Sequence, residues 1–221
     1  MLKNKLIGYY GYWVYLTYLS VISAIIGIYF AISKNVFLAI VCLMISGVCD
    51  MFDGTVAKTK KRNDDEKKYG IQIDALADIV SFGILPVLIG FAIYSDAIFK
   101  NNDTFSIIIN IIIFSSYVLA ALIRLAYFNV GEMKLQDNNI SREYYEGLPV
   151  TSVALIIPLV YSICTFFNIP LDIVFNKLYL IILILFITKI KIPKLKGKKL
   201  FILLFLGTII LSFMILIKYI I

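Results

Sequence analysis

Seven apolar runs dominate the chain, and most of them match the thickness of a lipid bilayer. They cover roughly residues 10–32, 36–57, 71–94, 104–129, 150–167, 173–188 and 200–219. A helix rises 1.5 Å per residue, so about 20 residues cross the hydrocarbon core. Lipid offers no partner to backbone N–H and C=O groups, which leaves helices as the natural form for such runs. The sixth run is short, and Asn168-Ile169-Pro170 ahead of it reads as a tight turn. The chain is 61% hydrophobic with mean hydropathy +0.93, above the near-half apolar content of a soluble domain. These runs predict an all-α polytopic transmembrane bundle of six core spans with a seventh, C-terminal span at about 200–219. We expect one membrane domain over 1–221, with its core at about 10–190. No repeat or low-complexity linker interrupts it. The basic lead 1–5 precedes a run of full span length with no small-residue cleavage site, so the first run is expected to persist as a helix.

The basic residues predict an orientation. With the N-terminus inside, one side carries Lys3 and Lys5, the cluster Lys58, Lys60, Lys61, Arg62, Lys67 and Lys68, then Lys134 and Arg142. The same side carries Lys189, Lys191, Lys194, Lys196, Lys198 and Lys199. The other side has Lys34, Lys100, Lys177 and Lys218, and Arg124 lies within a span. Cytoplasmic loops collect Lys and Arg, so the heavy side is expected in the cytoplasm of a cell membrane. The net charge of +7 is juxtamembrane, where it meets anionic headgroups, and no nucleic-acid motif accompanies it. We therefore expect membrane lipids, and no nucleic acid, as partners.

Histidine is absent, which removes His triads, His zinc sites and His bases. Cys42, Cys49 and Cys164 sit in apolar runs without metal spacing and read as small buried hydrophobes. Proton chemistry is left to carboxylates, Lys, Tyr or Cys. Tyr9, Tyr10, Tyr12 and Trp13 read as interfacial anchors.

The stretch 50–78, DMFDGTVAKTKKRNDDEKKYGIQIDALAD, carries the chemistry. Asp50 and Asp53 end one apolar run; Asp74 and Asp78 open the next. A charged connector, 58–69, lies between. Residues i and i+3, or i and i+4, share a helix face, so each pair points one way. Antiparallel neighbouring helices would bring all four carboxylates together. Their mutual repulsion near lipid is relieved by one or two divalent cations. Oxygen donors without His favour Mg²⁺, Mn²⁺ or Ca²⁺ over zinc. Such a cation most often serves phosphate chemistry. Gly54 and Ala57 let a ligand approach the backbone, and Lys58 adds a phosphate-pairing charge. A solvated helix end or ion pairs with the basic connector is the simpler alternative.

The order Asp50, Asp53, Gly54, Ala57, Gly70, Asp74, Asp78 resembles the signature of the CDP-alcohol phosphotransferase family, integral membrane enzymes of phospholipid synthesis. Two positions depart from it. Lys58 stands where the family has Arg, and eleven residues rather than eight separate that position from Gly70. The resemblance implies Asp50, Asp53, Asp74 and Asp78 as ligands of a two-metal Mg²⁺ or Mn²⁺ site. It implies Asp78 as general base. It places CDP-lipid against Asp50, Asp53, Gly54, Ala57, Lys58 and Gly70. It also implies a homodimer.

Three further stretches, 79–86, 124–130 and 147–151, look like the phosphatidylserine synthase branch of that family. That branch implies CDP-diacylglycerol and L-serine as substrates. Tyr127 replaces an Arg more usual there. Arg124 stands out on physical grounds as well, since a charge within a span is costly and functional by default. It is expected to bind an anion, either a lipid-linked phosphate or the serine carboxylate, with Ser81 and Asn129 as candidate contacts to the amino acid, unless it snorkels to the interface or pairs with an Asp. The polar segment 131–147 is a candidate lid or a plain connector. Other acceptors, glycerol 3-phosphate or an inositol phosphate, remain open. From another class, a divalent-cation transporter remains as a rival, although such sites usually lie at the bilayer midplane.

Overall fold

The computed structural model describes residues 7–101, 104–137, 144–193 and 198–220. Lys3, Lys5, Arg142, Lys194 and Lys196 of the charge pattern lie outside the described residues. A 3-10 turn, Tyr12–Val14, leads into α1 (Tyr15–Ile32), followed by α2 (Val36–Ala57) and α3 (Asp64–Asp78). A π-helical turn, Ile79–Ile84, joins α3 to α4 (Leu85–Asn101). Next come α5 (Thr104–Asp137), strand β1 (Tyr144–Glu146), α6 (Val153–Phe166), α7 (Leu171–Ile187), strand β2 (Lys191–Pro193) and α8 (Lys198–Ile220).

The protein is a polytopic helical membrane bundle. Five stretches are long and apolar enough to cross a bilayer: Tyr12–Ile32, Val36–Ala57, Asp64–Tyr94, Thr104–Leu135 and Leu200–Tyr219. α6 and α7 are shorter and apolar. α1 packs along α2, and α5 along α7; α8 lies against α6 and α2. Large apolar side chains on the outward faces, such as Ile112, Ile181 and Phe205, are exposed. This is the pattern of a bundle solvated by lipid rather than water.

The charged connector is shorter than expected. α3 starts at Asp64 because Asn63 caps it, with Asn63 Oδ1 accepting from Glu66 N (2.7 Å) and Glu66 Oε2 accepting from Asn63 N (3.0 Å). This reciprocal cap satisfies two of the free donors at a helix start. Asp64, Asp65 and Glu66 in the first turn also suit the helix dipole. The polar segment 131–147 is likewise not one loop. α5 runs on to Asp137, residues 138–143 lie outside the described residues, and β1 pairs antiparallel with β2. That ribbon had no signal in the apolar pattern. Glu146 faces Lys191 across it.

The π-helical turn follows from Pro86. Proline has no N–H, so the carbonyl four residues back, Phe82 O, loses its α-helical partner. Tyr117 Oη donates to that carbonyl at 2.8 Å, and Leu85 N reaches five residues back to Val80 O. Tyr179 Oη donates to Pro86 O. Two buried tyrosines from α5 and α7 thus hold the irregular turn directly after Asp78. Small residues bring the helices close. A Cβ at Gly47 would lie 2.5 Å from Ala154 Cβ, so α2 and α6 touch there.

Candidate active site

α2 delivers Asp50 and Asp53 at its C-terminal end; α3 delivers Asp74 and Asp78 at its own. Among the described residues, Asp50, Asp74 and Asp78 each offer a carboxylate oxygen within 4.8 Å of the others. Asp50 is within hydrogen-bonding reach of Asp78, and Asp53 of Asp74. The two helices therefore pair their carboxylates crosswise. Asp53 stands at the edge of the trio, where Thr17 Oγ1 of α1 donates to its Oδ2 at 3.2 Å. Asp53 and Asp78 are buried, and Asp50 and Asp74 are half-buried.

Arg124 completes the floor. It is 7% exposed, so it does not snorkel to the surface. Its guanidinium lies over the Phe128 ring at 5.2 Å, and its charge acts on both Asp50 and Asp78. Asn129 is half-buried on the same helix, five residues on. At 100° per residue that is about 140° round from Arg124, so the two do not share a face. Ser81 is fully buried and bonded to Ser20 Oγ at 3.2 Å, which ties the π-helical turn to α1.

The small motif residues behave differently from one another. Nothing lies within 4 Å of a Cβ built on Gly54, so the helix backbone there faces open space. Gly70 is crowded: a Cβ there would meet Arg62 Nη1 at 2.9 Å and the Trp13 ring at 3.2 Å. Ala57 is half-buried and Lys58 exposed. Trp13 is 2% exposed, with Tyr69 edge-on at 6.4 Å. It is an internal post between the first turn and α3 rather than an interfacial anchor. Tyr127 makes a polar contact of its own. Its hydroxyl donates to Glu146 Oε2 at 2.7 Å, and Lys189 Nζ lies 5.3 Å over its ring. It thereby ties α5 to the β-ribbon. Cys42, Cys49 and Cys164 are free thiols, the first and third buried.

The spacing of acidic residues reveals neither Thr17, which reaches Asp53, nor the packing of Trp13 and Arg62 on Gly70 of the motif. Thr17 has no sequence signal at all. Trp13 and Arg62 had one only in being the lone tryptophan and the lone arginine among connector lysines.

A helical membrane bundle with an all-oxygen carboxylate cluster where α2 and α3 end defines a membrane-embedded scaffold suited to a hard divalent cation. Comparison with known proteins narrows it: the family model for CDP-alcohol phosphatidyltransferase matches residues 14–188, and the chain belongs to that family. A CDP-diacylglycerol–serine O-phosphatidyltransferase of Saccharomyces cerevisiae is 37% identical over 134 residues, 58% of this chain and 44% of the relative. A Helicobacter pylori protein of the same name is 29% identical over 133 residues, 60% of this chain and 49% of the relative. An archaetidylserine synthase of Methanothermobacter thermautotrophicus is 28% identical over 172 residues, 78% of this chain and 65% of the relative. The chain spans about half the length of the first of these relatives.

Proposed function

We propose that this protein transfers the phosphatidyl group of CDP-diacylglycerol to the hydroxyl of L-serine, giving phosphatidylserine and CMP. The observation that carries the reading is the meeting of Asp50, Asp74 and Asp78 oxygens from two helices, in the residue order of the family motif. The names of the relatives support serine as acceptor. The basic connector supports a cytoplasmic site with the N-terminus inside, in a cell membrane. The working form is a homodimer of one membrane domain.

The donor set fits a hard divalent cation. It is all carboxylate, drawn from two helices, and without compensation it would concentrate negative charge near lipid. Asp50, Asp74 and Asp78 would hold Mg²⁺ or Mn²⁺, with Asp53 as the ligand that extends the site to a second ion. When bound, such ions supply charge stabilisation to the diphosphate oxygens.

The chain's own residues do the rest. The open backbone at Gly54, with Ala57 one turn on, admits the nucleotide. Lys58 stands exposed at the rim, where a phosphate enters. Asp78 accepts the proton of the serine hydroxyl. The serine oxygen then bonds to the phosphorus that carries diacylglycerol, and the P–O bond to CMP breaks, with the electron pair leaving on CMP. Arg124 holds an anion at the floor, either the lipid-linked phosphate or the serine carboxylate. Asn129, on another face of α5 from Arg124, is assigned no contact with the amino acid. Ser81 reaches it only by giving up its bond to Ser20.

The test is CMP release by purified protein in detergent, with CDP-diacylglycerol and Mg²⁺ or Mn²⁺, adding L-serine, glycerol 3-phosphate or inositol phosphate in turn. Release with serine alone is expected. Release with another acceptor would keep the chemistry and overturn the choice of alcohol. Folded protein releasing no CMP with any acceptor would sink the reading and favour ion transport.

A further inference from the structure

Six cations sit in and just after the connector between α2 and α3, and they are not equivalent. Lys58, Lys61 and Lys68 are exposed. Lys60 is engaged with Glu66 Oε1 at 2.8 Å, and Lys67 with Asp64 Oδ1 at 3.0 Å. Arg62 is half-buried and turned the other way. Its guanidinium lies 5.1 Å over the Trp13 ring, and its Nη1 fills the space that the missing side chain of Gly70 leaves. Burial lowers its pKa from the ordinary arginine value, and Glu66 opposes the shift; the group stays charged.

Gly70 and Asp74 are four residues apart, on one face of α3. The Arg62 guanidinium therefore sits about one turn, ~6 Å, up the helix from the level of Asp74, on the same face as the carboxylates. A planar guanidinium at that height, beside an acidic floor, is a ready donor pair for a phosphate oxygen. The Trp13 face holds its plane and lowers the entropy lost when it engages.

We propose that Arg62 is the diphosphate-binding residue of this chain. It supplies, from the lengthened connector, the bidentate cation that Lys58, exposed and unable to form a fork, does not. The proposal rests on the nucleotide–lipid reading above. Trp13 is the positioning residue, and Gly70 is small so that the guanidinium can pass.

Trp13 is the chain's single tryptophan, so its fluorescence reports on Arg62 without turnover. Purified protein with Mg²⁺ is titrated with CDP and, separately, with cytidine. The wild-type signal is expected to saturate with CDP and not with cytidine. Arg62→Gln is expected to raise the CDP midpoint about tenfold or more, the usual worth of a hydrogen bond to a charged group. Arg62→Lys should fall between, and Arg62→Gln with Lys58→Arg should recover part of the loss. In CMP release the same variants should raise KM for CDP-diacylglycerol with kcat within about threefold, the pattern of lost uniform binding. A CDP midpoint within twofold of wild type in Arg62→Gln would overturn the proposal while leaving the proposed function standing. Weakened CDP binding in a protein inactive with serine would uphold Arg62 and overturn the serine reading. A wild-type protein whose Trp13 does not respond to CDP overturns the proposal, while CMP release alone decides the proposed function. The Arg62→Lys variant, which keeps charge and stem, guards against a folding defect in Arg62→Gln. Equal midpoints for wild type and Arg62→Lys, with loss in Arg62→Gln, would reduce the role to charge and overturn the bidentate contact.

Discussion

The carboxylate end of the bundle and its aromatic middle are built on opposite principles. At the first, Asp50, Asp74 and Asp78 gather like charges within 4.8 Å, with Arg124 buried beneath. At the second, Phe114, Tyr117, Tyr179 and Phe186 from α5 and α7 interlock without charge. Phe114 stands edge-on to Tyr179 at 5.1 Å, and Tyr117 to Tyr179 at 5.2 Å. Edge-to-face rings add about 0.5–1.5 kcal/mol per pair beyond the area they bury. The acidic cluster adds repulsion. The two regions meet at the π-helical turn, where Tyr117 and Tyr179 grip Phe82 O and Pro86 O just past Asp78. The difference teaches that a strained group of charges is held in place by a neutral, well-packed support. Function and stability should therefore separate on mutation.

Asp78→Asn should make the largest break. Turnover should fall about 10²–10⁴-fold, the usual contribution of a general base. Binding of CDP-lipid and the unfolding temperature should hold. Turnover near wild type would remove Asp78 from the base role.

Phe114→Ala should do the reverse. Its ring is 1% exposed, and emptying such a site costs about 3–5 kcal/mol. Thermal unfolding in detergent should drop by several degrees, while KM of the surviving folded protein stays put. An unchanged transition would mean that the aromatic middle does not support the fold.

Asp50→Asn and Asp53→Asn sharpen the comparison inside the site. Both should weaken Mn²⁺ in a titration, Asp50→Asn by about tenfold or more, on the scale of metal-site substitutions. Asp53→Asn should cost less, because Asp53 lies outside the tight trio and leans on Thr17. Equal shifts would place Asp53 on the same footing as Asp50.

Tyr117→Phe tests the joint between the regions. It removes one hydroxyl and leaves Phe82 O without that donor, a loss of about 1–3 kcal/mol for a buried acceptor. A small fall in kcat beside the stability loss would show that the support positions Asp78. Stability loss with kcat untouched would show that the turn holds its shape without it.

Much of this was legible in the amino-acid order. Apolar runs of span length dictate helices because lipid leaves the backbone no other partner. The i,i+3 and i,i+4 spacings of Asp50, Asp53, Asp74 and Asp78 dictate that each pair shares a face. Both statements are local, so a one-dimensional reading suffices. The start of α3 at Asp64 was also local, written in the Asn63–Glu66 cap, but hidden under a run of charges that reads as a loop.

The remainder depended on which helix lies against which. No spacing shows that Asp50 meets Asp78 while Asp53 meets Asp74, nor that Thr17 reaches Asp53 across 36 residues of chain. Arg124 could be suspected because charge in a span is costly, but its place near Asp50 and Asp78 is a matter of how α5 packs against α3 and the π-helical turn. The turning of Arg62 onto Trp13 and Gly70, away from the solvent that receives Lys58 and Lys61, is of the same kind. Sequence sets periodicity and residue chemistry along each helix. Contacts between helices arise from packing small against large across distant segments, and only the tertiary structure decides them.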